Sequence, residues 1–320
     1  MDPIEYLSFT SPNLVGDSHK QSLVSTRASR TFSFFFASTR VQGNSHAFFG
    51  GRIVLGPRWE GLTVSFSVLL VYFVQVIPLF GSTSQMIYIA TLALFFLSFT
   101  LMLLTGLSNP GIIERGEDIA DSTSVRVDSE TGFLVPRFLL LNGVCVRQKF
   151  CRTCKQYRPP RSNHCSVCDN CVLKFDHHCA ALGTCIGLGN YRWFISLVAS
   201  LLLLQPLVFY IAYTNLGTLM FQMSNLNLLL LLVSSAFAFI AFLLLIVYHV
   251  FITAHNLTTN EHLKKYYKVN PFDYGILANC AHCLCYPQAL LPISATPELA
   301  ASYRELASTN SECISDFYDY

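Results

Sequence analysis

The chain has 320 residues, 52% of them hydrophobic and 12% charged, and a formal net charge of +2. A soluble domain carries about 25% charged residues, so the composition argues against a soluble protein and for one that faces lipid. The small net charge says little by itself, and no nucleic-acid partner is expected.

Residues 1–60 read as a polar cytoplasmic arm. Its first part, to about Ser45, is rich in Ser and Thr and is expected to be flexible. No apolar stretch follows a basic start, so no signal peptide is expected. Two apolar stretches come next, Gly61 to Phe80 and Met86 to Leu104, and two more lie at Phe194 to Tyr213 and Leu228 to Phe251. Each is close to the roughly 20 residues a helix needs to cross the hydrocarbon core. None contains Asp, Glu, Lys or Arg. Pro206 falls inside the third and is expected to kink it. The organisation is then residues 61–104 as transmembrane helices 1 and 2, 105–193 as a connecting segment, 194–251 as helices 3 and 4, and 252–320 as a C-terminal region.

The loops 81–85 and 214–227 hold no Lys or Arg; all 21 of those residues lie in the other three polar segments. Positive charge stays on the cytoplasmic side, so both termini and the connecting segment are predicted to be cytoplasmic. The predicted fold is an all-α integral membrane protein. Four helices sit in a lipid bilayer, with a small double-zinc domain, about 149–193, between helices 2 and 3.

Seven of the twelve cysteines, Cys151, Cys154, Cys165, Cys168, Cys171, Cys179 and Cys185, crowd into that domain with His164, His177 and His178 among them. Paired C-x2-C spacing with histidines in a reducing compartment reads as zinc rather than disulfide. Eight of these residues make two Cys3His sets. His164 and Cys165 are neighbours and cannot easily serve one ion, so the sets interleave. Cys151, Cys154, His164 and Cys171 form one; Cys165, Cys168, His178 and Cys185 form the other. Both sets have ten residues from the second Cys to the His and seven from the His to the last Cys. The two zinc ions are expected to be structural and to supply the folding free energy of a segment with little apolar core.

His177 and Cys179 are left without a metal. A cysteine nucleophile attacks as thiolate and needs a base nearby. His177 could take the thiol proton, and Asp176 could orient the imidazole. Adjacency alone does not make these side chains meet. The alternative for Cys179 is a surplus cysteine packed in the zinc domain.

Around these residues the pattern Cys151-x2-Cys154-x3-Arg158-Pro159-Pro160-Arg161-x2-His164-Cys165-x2-Cys168-x2-Cys171-x4-Asp176-His177-His178-Cys179-x5-Cys185-x4-Asn190-x3-Phe194 resembles the cysteine-rich domain of DHHC protein S-acyltransferases (palmitoyltransferases). Flanking stretches are similar too. Asn109-Pro110-Gly111 resembles the family's Asp-Pro-Gly, Thr258-Thr259-Asn260-Glu261 its Thr-Thr-x-Glu, and Asn270-Pro271-Phe272-Asp273-Tyr274-Gly275 with Asn279 its C-terminal motif. Gly50-Gly51-Arg52 resembles the branch related to the yeast Ras palmitoyltransferase.

The resemblance implies transfer of a palmitoyl group from acyl-CoA (palmitoyl-CoA) to Cys179 and then to cysteines of cytoplasmic-face protein substrates. It implies His177 as general base, Asp176 as its partner, structural zincs, and an acyl chain lying among the four helices. Arg147, Lys149, Arg152, Lys155, Arg158 and Arg161 are basic residues suited to CoA phosphates or anionic lipid, with Arg158 and Arg161 favoured because they fall in the motif. Endomembrane (Golgi or ER) and plasma membrane both suit the spans, and an accessory subunit is neither required nor excluded. Two departures stand out: Ala180-Ala181 where the family has Pro-Trp, and Asn109 where it has Asp. Cys280, Cys283 and Cys285 lie beyond the fourth span, where acylation is favoured over a metal site with His282. A catalytically weak scaffold that keeps the zinc fold and recruits partners is the main rival reading. A zinc-module ubiquitin ligase fits the ligand order less well.

Overall fold

The computed structural model describes residues 39–40, 43–116, 137–216 and 224–284. Helix α1 (Glu60–Val76) runs into a 3-10 turn (Ile77–Ser82), and α2 (Gln85–Leu107) returns. After the connecting segment come α3 (Tyr191–Leu216) and α4 (Ser224–Ala254). Glu60–Leu79, Gln85–Leu107, Tyr191–Leu216 and Leu226–Ala254 are long and apolar enough to cross a membrane. Apolar side chains point outward as well as inward: Val64, Val68, Phe237 and Leu244 are exposed, while Phe95, Leu204, Val208 and Ile211 are fully buried. A helix that is apolar all round needs lipid on its outer face. The chain is a multi-pass membrane protein.

Helix α3 packs against both α2 and α4. Ser98 of α2 donates to Ser200 of α3 at 3.0 Å in the buried interface. Small hydroxyl residues of this kind let membrane helices approach and bond directly. Pro206 lies inside α3 without ending it.

The rest is built from short antiparallel strands, which the metal spacing did not announce. Strands β1 (Thr39–Arg40), β2 (His46–Phe48) and β3 (Ile53–Leu55) make one sheet before α1. After α2 come β4 (Ile112–Ile113), the hairpin β5 (Arg137–Leu141) with β6 (Val144–Gln148), and the pair β7 (Phe150–Cys151) with β8 (Gln156–Tyr157). The two-residue turn between β5 and β6 is Asn142-Gly143, both with positive φ, the hairpin turn that suits the twist of paired strands. Then β9 (Asn163–Cys165) pairs with β10 (Asn170–Val172), and β11 (His177–Cys179) with β12 (Thr184–Ile186). Among the described residues two short helices follow α4: α5 (Thr259–Leu263) and α6 (Ile276–Leu284).

The stretch before α1 is part of this unit. Ala47 of β2 and Val54 of β3 pack into one apolar cluster with Cys165, Cys168, Phe175 and Cys185. Asn44 donates to the carbonyls of Cys168 (backbone N–H, 2.9 Å) and Val167 (side chain, 3.0 Å). The flexible part of the arm expected before Ser45 falls almost wholly outside the described residues.

Three contacts fasten the unit to the helices. Asn190 Nδ2 donates to the carbonyls of Thr105, at the end of α2, and Cys185, at 3.1 and 2.9 Å. Ser65 of α1 donates to the Ala181 carbonyl at 2.8 Å. The turn after Cys179 also lies against the start of α1 so closely that a Cβ on Gly61 would fall 1.9 Å from the Ala180 carbonyl oxygen, and one on Gly183 1.9 Å from that of Arg58. Asn109 Oδ1 accepts the amides of Gly111 and Ile112, both at 3.0 Å. A carboxylate would accept the same two bonds, so Asn can replace the family's Asp at this corner.

Candidate functional site

The structure gathers Cys151, Cys154, His164 and Cys171 into one group and Cys165, Cys168, His178 and Cys185 into another, with the ligand atoms of each within 4.8 Å of one another. The repeat has a simple origin. Each C-x2-C supplies two thiols from a tight loop, and each His and last Cys face one another across a hairpin: His164 opposite Cys171, His178 opposite Cys185. A seven-residue separation is what a short hairpin needs to bring two cross-strand residues level.

The donor set fits zinc. Tetrahedral geometry with Zn–S near 2.3 Å and Zn–N near 2.05 Å puts sulfur and nitrogen about 3.6 Å apart. From His164 Nδ1 to the sulfurs of Cys151, Cys154 and Cys171 the distances are 3.6, 3.5 and 3.9 Å. From His178 Nδ1 to Cys165, Cys168 and Cys185 they are 3.6, 3.4 and 3.7 Å. Outer partners orient the first histidine: His164 Nε2 lies 3.5 Å from Asp169, which is paired with Arg115 at 2.6 Å. Such a carboxylate behind a ligating imidazole fixes its ring and tautomer. Sequence reasoning passed over Arg115, which is 54 residues from Asp169.

Strand β11 explains how three consecutive residues divide. Successive side chains of a strand point to opposite faces. His178 turns to the metal group, while His177 and Cys179 share the other face of the strand. Cys179 packs against the apolar cluster of the spanning helices, which includes Leu182, Ile186, Tyr191 and Phe194. The thiol therefore sits where the zinc-binding unit meets the spanning helices.

Asp176 is 1% exposed. Its Oδ2 is 2.7 Å from His177 Nδ1, and its Oδ1 accepts the Thr259 amide at 2.8 Å. Burial opposes the charge on Asp176, but the bond to His177, the imidazole's charge and the Thr259 amide hold the carboxyl below its usual range. Burial likewise opposes a charged His177. The bond to Asp176 and the nearby Cys179 thiol outweigh it, and the imidazole is pushed up to about 9. A carboxylate that holds Nδ1–H leaves Nε2 to accept a proton, which is the arrangement a general base needs.

Thr259 begins α5, which is locked by a capping box. Thr258 Oγ1 accepts the Glu261 amide at 3.1 Å, and Glu261 Oε2 accepts the Thr258 amide at 2.8 Å. Glu261 also receives Arg161 from the zinc-binding unit, Nε to Oε1 at 2.9 Å and Nη2 to Oε2 at 2.8 Å. Arg161 further donates to the side chain and carbonyl of Asn256 and lies over the Phe272 ring at 4.5 Å.

Arg161, expected to be suited to a phosphate, is bonded within the protein here. The Arg161–Glu261 side chains are 6% and 2% exposed, and the guanidinium is used up joining the zinc-binding unit to the segment after α4. Removing one member of such a pair strands a buried charge and costs about 3–5 kcal/mol. Arg161→Ala should therefore lower the thermal midpoint markedly in detergent, more than Arg158→Ala does. A thermal melt of the two variants side by side checks it. Arg158 is half-buried and donates to Asn163 at 2.7 Å. Cys283 is 4% exposed with its sulfur 3.3 Å from Lys174 Nζ, so it is withdrawn from the surface where acylation was expected. Cys280 is half-buried, and Cys285 lies outside the described residues.

Residues 145–266 match the family described as DHHC palmitoyltransferase. The chain is 36% identical over 273 residues to mouse palmitoyltransferase ZDHHC18, covering 77% of this chain and 72% of that one. The chain belongs to the DHHC palmitoyltransferase family. Other relatives include the Arabidopsis thaliana protein named "Probable protein S-acyltransferase 3", 33% identical over 310 residues, 86% of this chain and 74% of its own. Human palmitoyltransferase ZDHHC9 is 34% identical over 246 residues, 68% of each chain. The family places the chain among enzymes that act as protein S-acyltransferases, and its two Cys3His groups fit two zinc ions.

Proposed function

We propose that this protein moves a palmitoyl group from palmitoyl-CoA, through a thioester on Cys179, to cysteines of proteins at the cytoplasmic face of the membrane. The observation that carries the reading is the shared face of β11. It pairs Cys179 with a histidine whose far nitrogen is held by a buried carboxylate, at the border of the apolar helices.

In the first step His177 Nε2 takes the Cys179 thiol proton, and the thiolate attacks the thioester carbonyl carbon. The bond from that carbon to the CoA sulfur breaks, and the proton passes from His177 to the CoA thiolate. In the second step a substrate thiol gives its proton to His177 and attacks the Cys179 thioester. Cys179 leaves and recovers the proton. Asp176 stays ionised throughout and stabilises the imidazolium. The zinc ions, where bound, hold β9 to β12 in place through their eight ligands. The acyl chain lies among the spanning helices against the cluster that Cys179 already touches. Arg158, together with Lys149 and Arg152, is left to meet the CoA phosphates. Both termini face the cytoplasm in this reading, since the Lys and Arg lie on the same side as the zinc-binding unit.

Purified protein incubated with labelled palmitoyl-CoA should take up label that neutral hydroxylamine releases, and peptide mapping should place it on Cys179. Label that resists hydroxylamine, or that maps to another residue, would overturn the reading. A scaffold without chemistry has no use for the Asp176–His177–Cys179 alignment, which favours the enzyme over that alternative.

A further inference from the structure

Helix α4 carries no Asp, Glu, Lys or Arg, and its one histidine is His249. His249 lies five residues from the end of α4 and is 3% exposed. An imidazole among apolar helices is costly to bury unless it is hydrogen-bonded, and an ionisable group at such a place marks a function. Its Nδ1 is 3.1 Å from the hydroxyl of Tyr191, the first residue of α3, and that hydroxyl is 3.0 Å from Thr253 Oγ1 on α4. The three groups clamp the start of α3 to the end of α4.

Phe194 lies one turn along α3 from Tyr191. Its ring stands edge-on to His249, with centroids 5.2 Å apart and planes at 70°, and it meets His177 at the same 5.2 Å and 70°. The centroids of His249 and His177 are 6.3 Å apart. The His177 imidazole is thus held at Nδ1 by Asp176 and backed by two rings, one of them anchored through Tyr191. One hydrogen bond leaves a ring free to tilt about it; a packed wall removes that freedom.

We propose that His249 is a positioning residue for His177, which it holds through Phe194 and directly, with Tyr191 as its anchor. The inference rests on the proposed role of His177 as general base. His249 touches neither Cys179 nor the acyl group in this scheme. It acts by keeping the His177 ring aligned with the thiol, and a misplacement of about 1 Å at such a ring costs on the order of 100-fold in rate.

The test measures single-turnover acyl-enzyme formation on the full-length protein across palmitoyl-CoA concentrations, with zinc content and thermal midpoint recorded for each variant. His249→Phe keeps an aromatic ring but has no nitrogen for Tyr191 to hold. Tyr191→Phe removes the anchor and leaves the histidine. Each should slow acylation by about 10- to 100-fold with the half-saturating palmitoyl-CoA concentration unchanged and two zincs retained. The double variant should be no slower than the worse single one, because both changes break the same link. Wild-type rates in His249→Phe would overturn the inference. So would losses that add in the double variant, or a loss that appears only as a higher half-saturating concentration or follows a fall in zinc content. If the wild type itself forms no Cys179 thioester, the proposed function fails first and the inference falls with it; a wild type that acylates beside an unaffected His249→Phe sinks the inference alone.

Discussion

Cys179→Ser should take up no hydroxylamine-labile acyl label and should still hold two zinc ions, whereas Cys165→Ala should lose metal and fold together. The contrast follows from the two faces of β11 and from the interleaved ligand sets. Cys179 shares its face with His177 and belongs to neither metal group. Serine is nearly isosteric, so neither the hairpin with β12 nor the packing against the apolar cluster of the helices should change. An oxygen ester formed on serine would resist neutral hydroxylamine, so the readout separates the two chemistries. Cys165 is a ligand of the second group and also part of the small apolar cluster with Ala47, Val54 and Phe175. Structural zinc supplies about 10–16 kcal/mol to small domains that have little core of their own. Losing one thiolate forfeits much of that, and it frees His178, the residue whose metal bond pins the backbone between His177 and Cys179. Cys165→Ala should therefore drop below two zincs per chain, melt at lower temperature and fail to acylate. Zinc content by elemental analysis, melting in detergent and the hydroxylamine-labile acyl label read the three expectations against the wild type. A Cys179→Ser chain with fewer than two zincs would mean that Cys179 is a ligand and the division of the cluster is wrong.

The spans and the metal groups were legible because each depends on residue type at fixed intervals. Twenty apolar residues without charge leave little choice of structure, and the repeated ten-and-seven spacing separates eight ligands into two sets. What spacing could not tell is which way side chains point. His177 and Cys179 are two apart, and only the strand conformation of β11 sets them side by side with His178 turned away. The Thr258-Thr259-Asn260-Glu261 stretch stood out as a resemblance without a physical role. Its use appears only when the chain folds back over 83 residues to bring the Thr259 amide to Asp176. Arg161 illustrates the opposite case. A basic residue in a cytoplasmic motif reads as a phosphate ligand, but a carboxylate 100 residues away claims it first. The sheet β1–β3 was hidden in a Ser-rich arm, although the short apolar runs Ala47-Phe48 and Ile53-Val54-Leu55 on either side of Gly50-Gly51 were a signal for two short strands. His249 was lost in an apolar stretch because the pattern that marks a span does not weigh a single histidine.

Asp176→Asn should slow acyl-enzyme formation by about 10²- to 10⁴-fold, the range that a misaligned general base gives up, while leaving stability nearly unchanged. The carboxamide oxygen can still accept the Thr259 amide, so the contact between the zinc-binding unit and α5 survives. The other half of the carboxamide is a donor, and it faces His177 Nδ1 where the carboxylate oxygen sat at 2.7 Å. A donor there favours the tautomer with its proton on Nε2, and that nitrogen can then no longer take the proton of Cys179. The imidazolium also loses the charge that stabilised it. Asp176→Ala makes the useful comparison, because it leaves the buried Thr259 amide without its acceptor and should cost a further 1–3 kcal/mol of stability. Rates that fall alike in both variants, with a lower melting point only in Asp176→Ala, would show the carboxylate acting on two neighbours through two oxygens. If Asp176→Asn acylated at the wild-type rate, Asp176 would be a structural acceptor for Thr259 alone, and His177 would have to find its orientation elsewhere, with the ring wall of Phe194 and His249 as the remaining restraint.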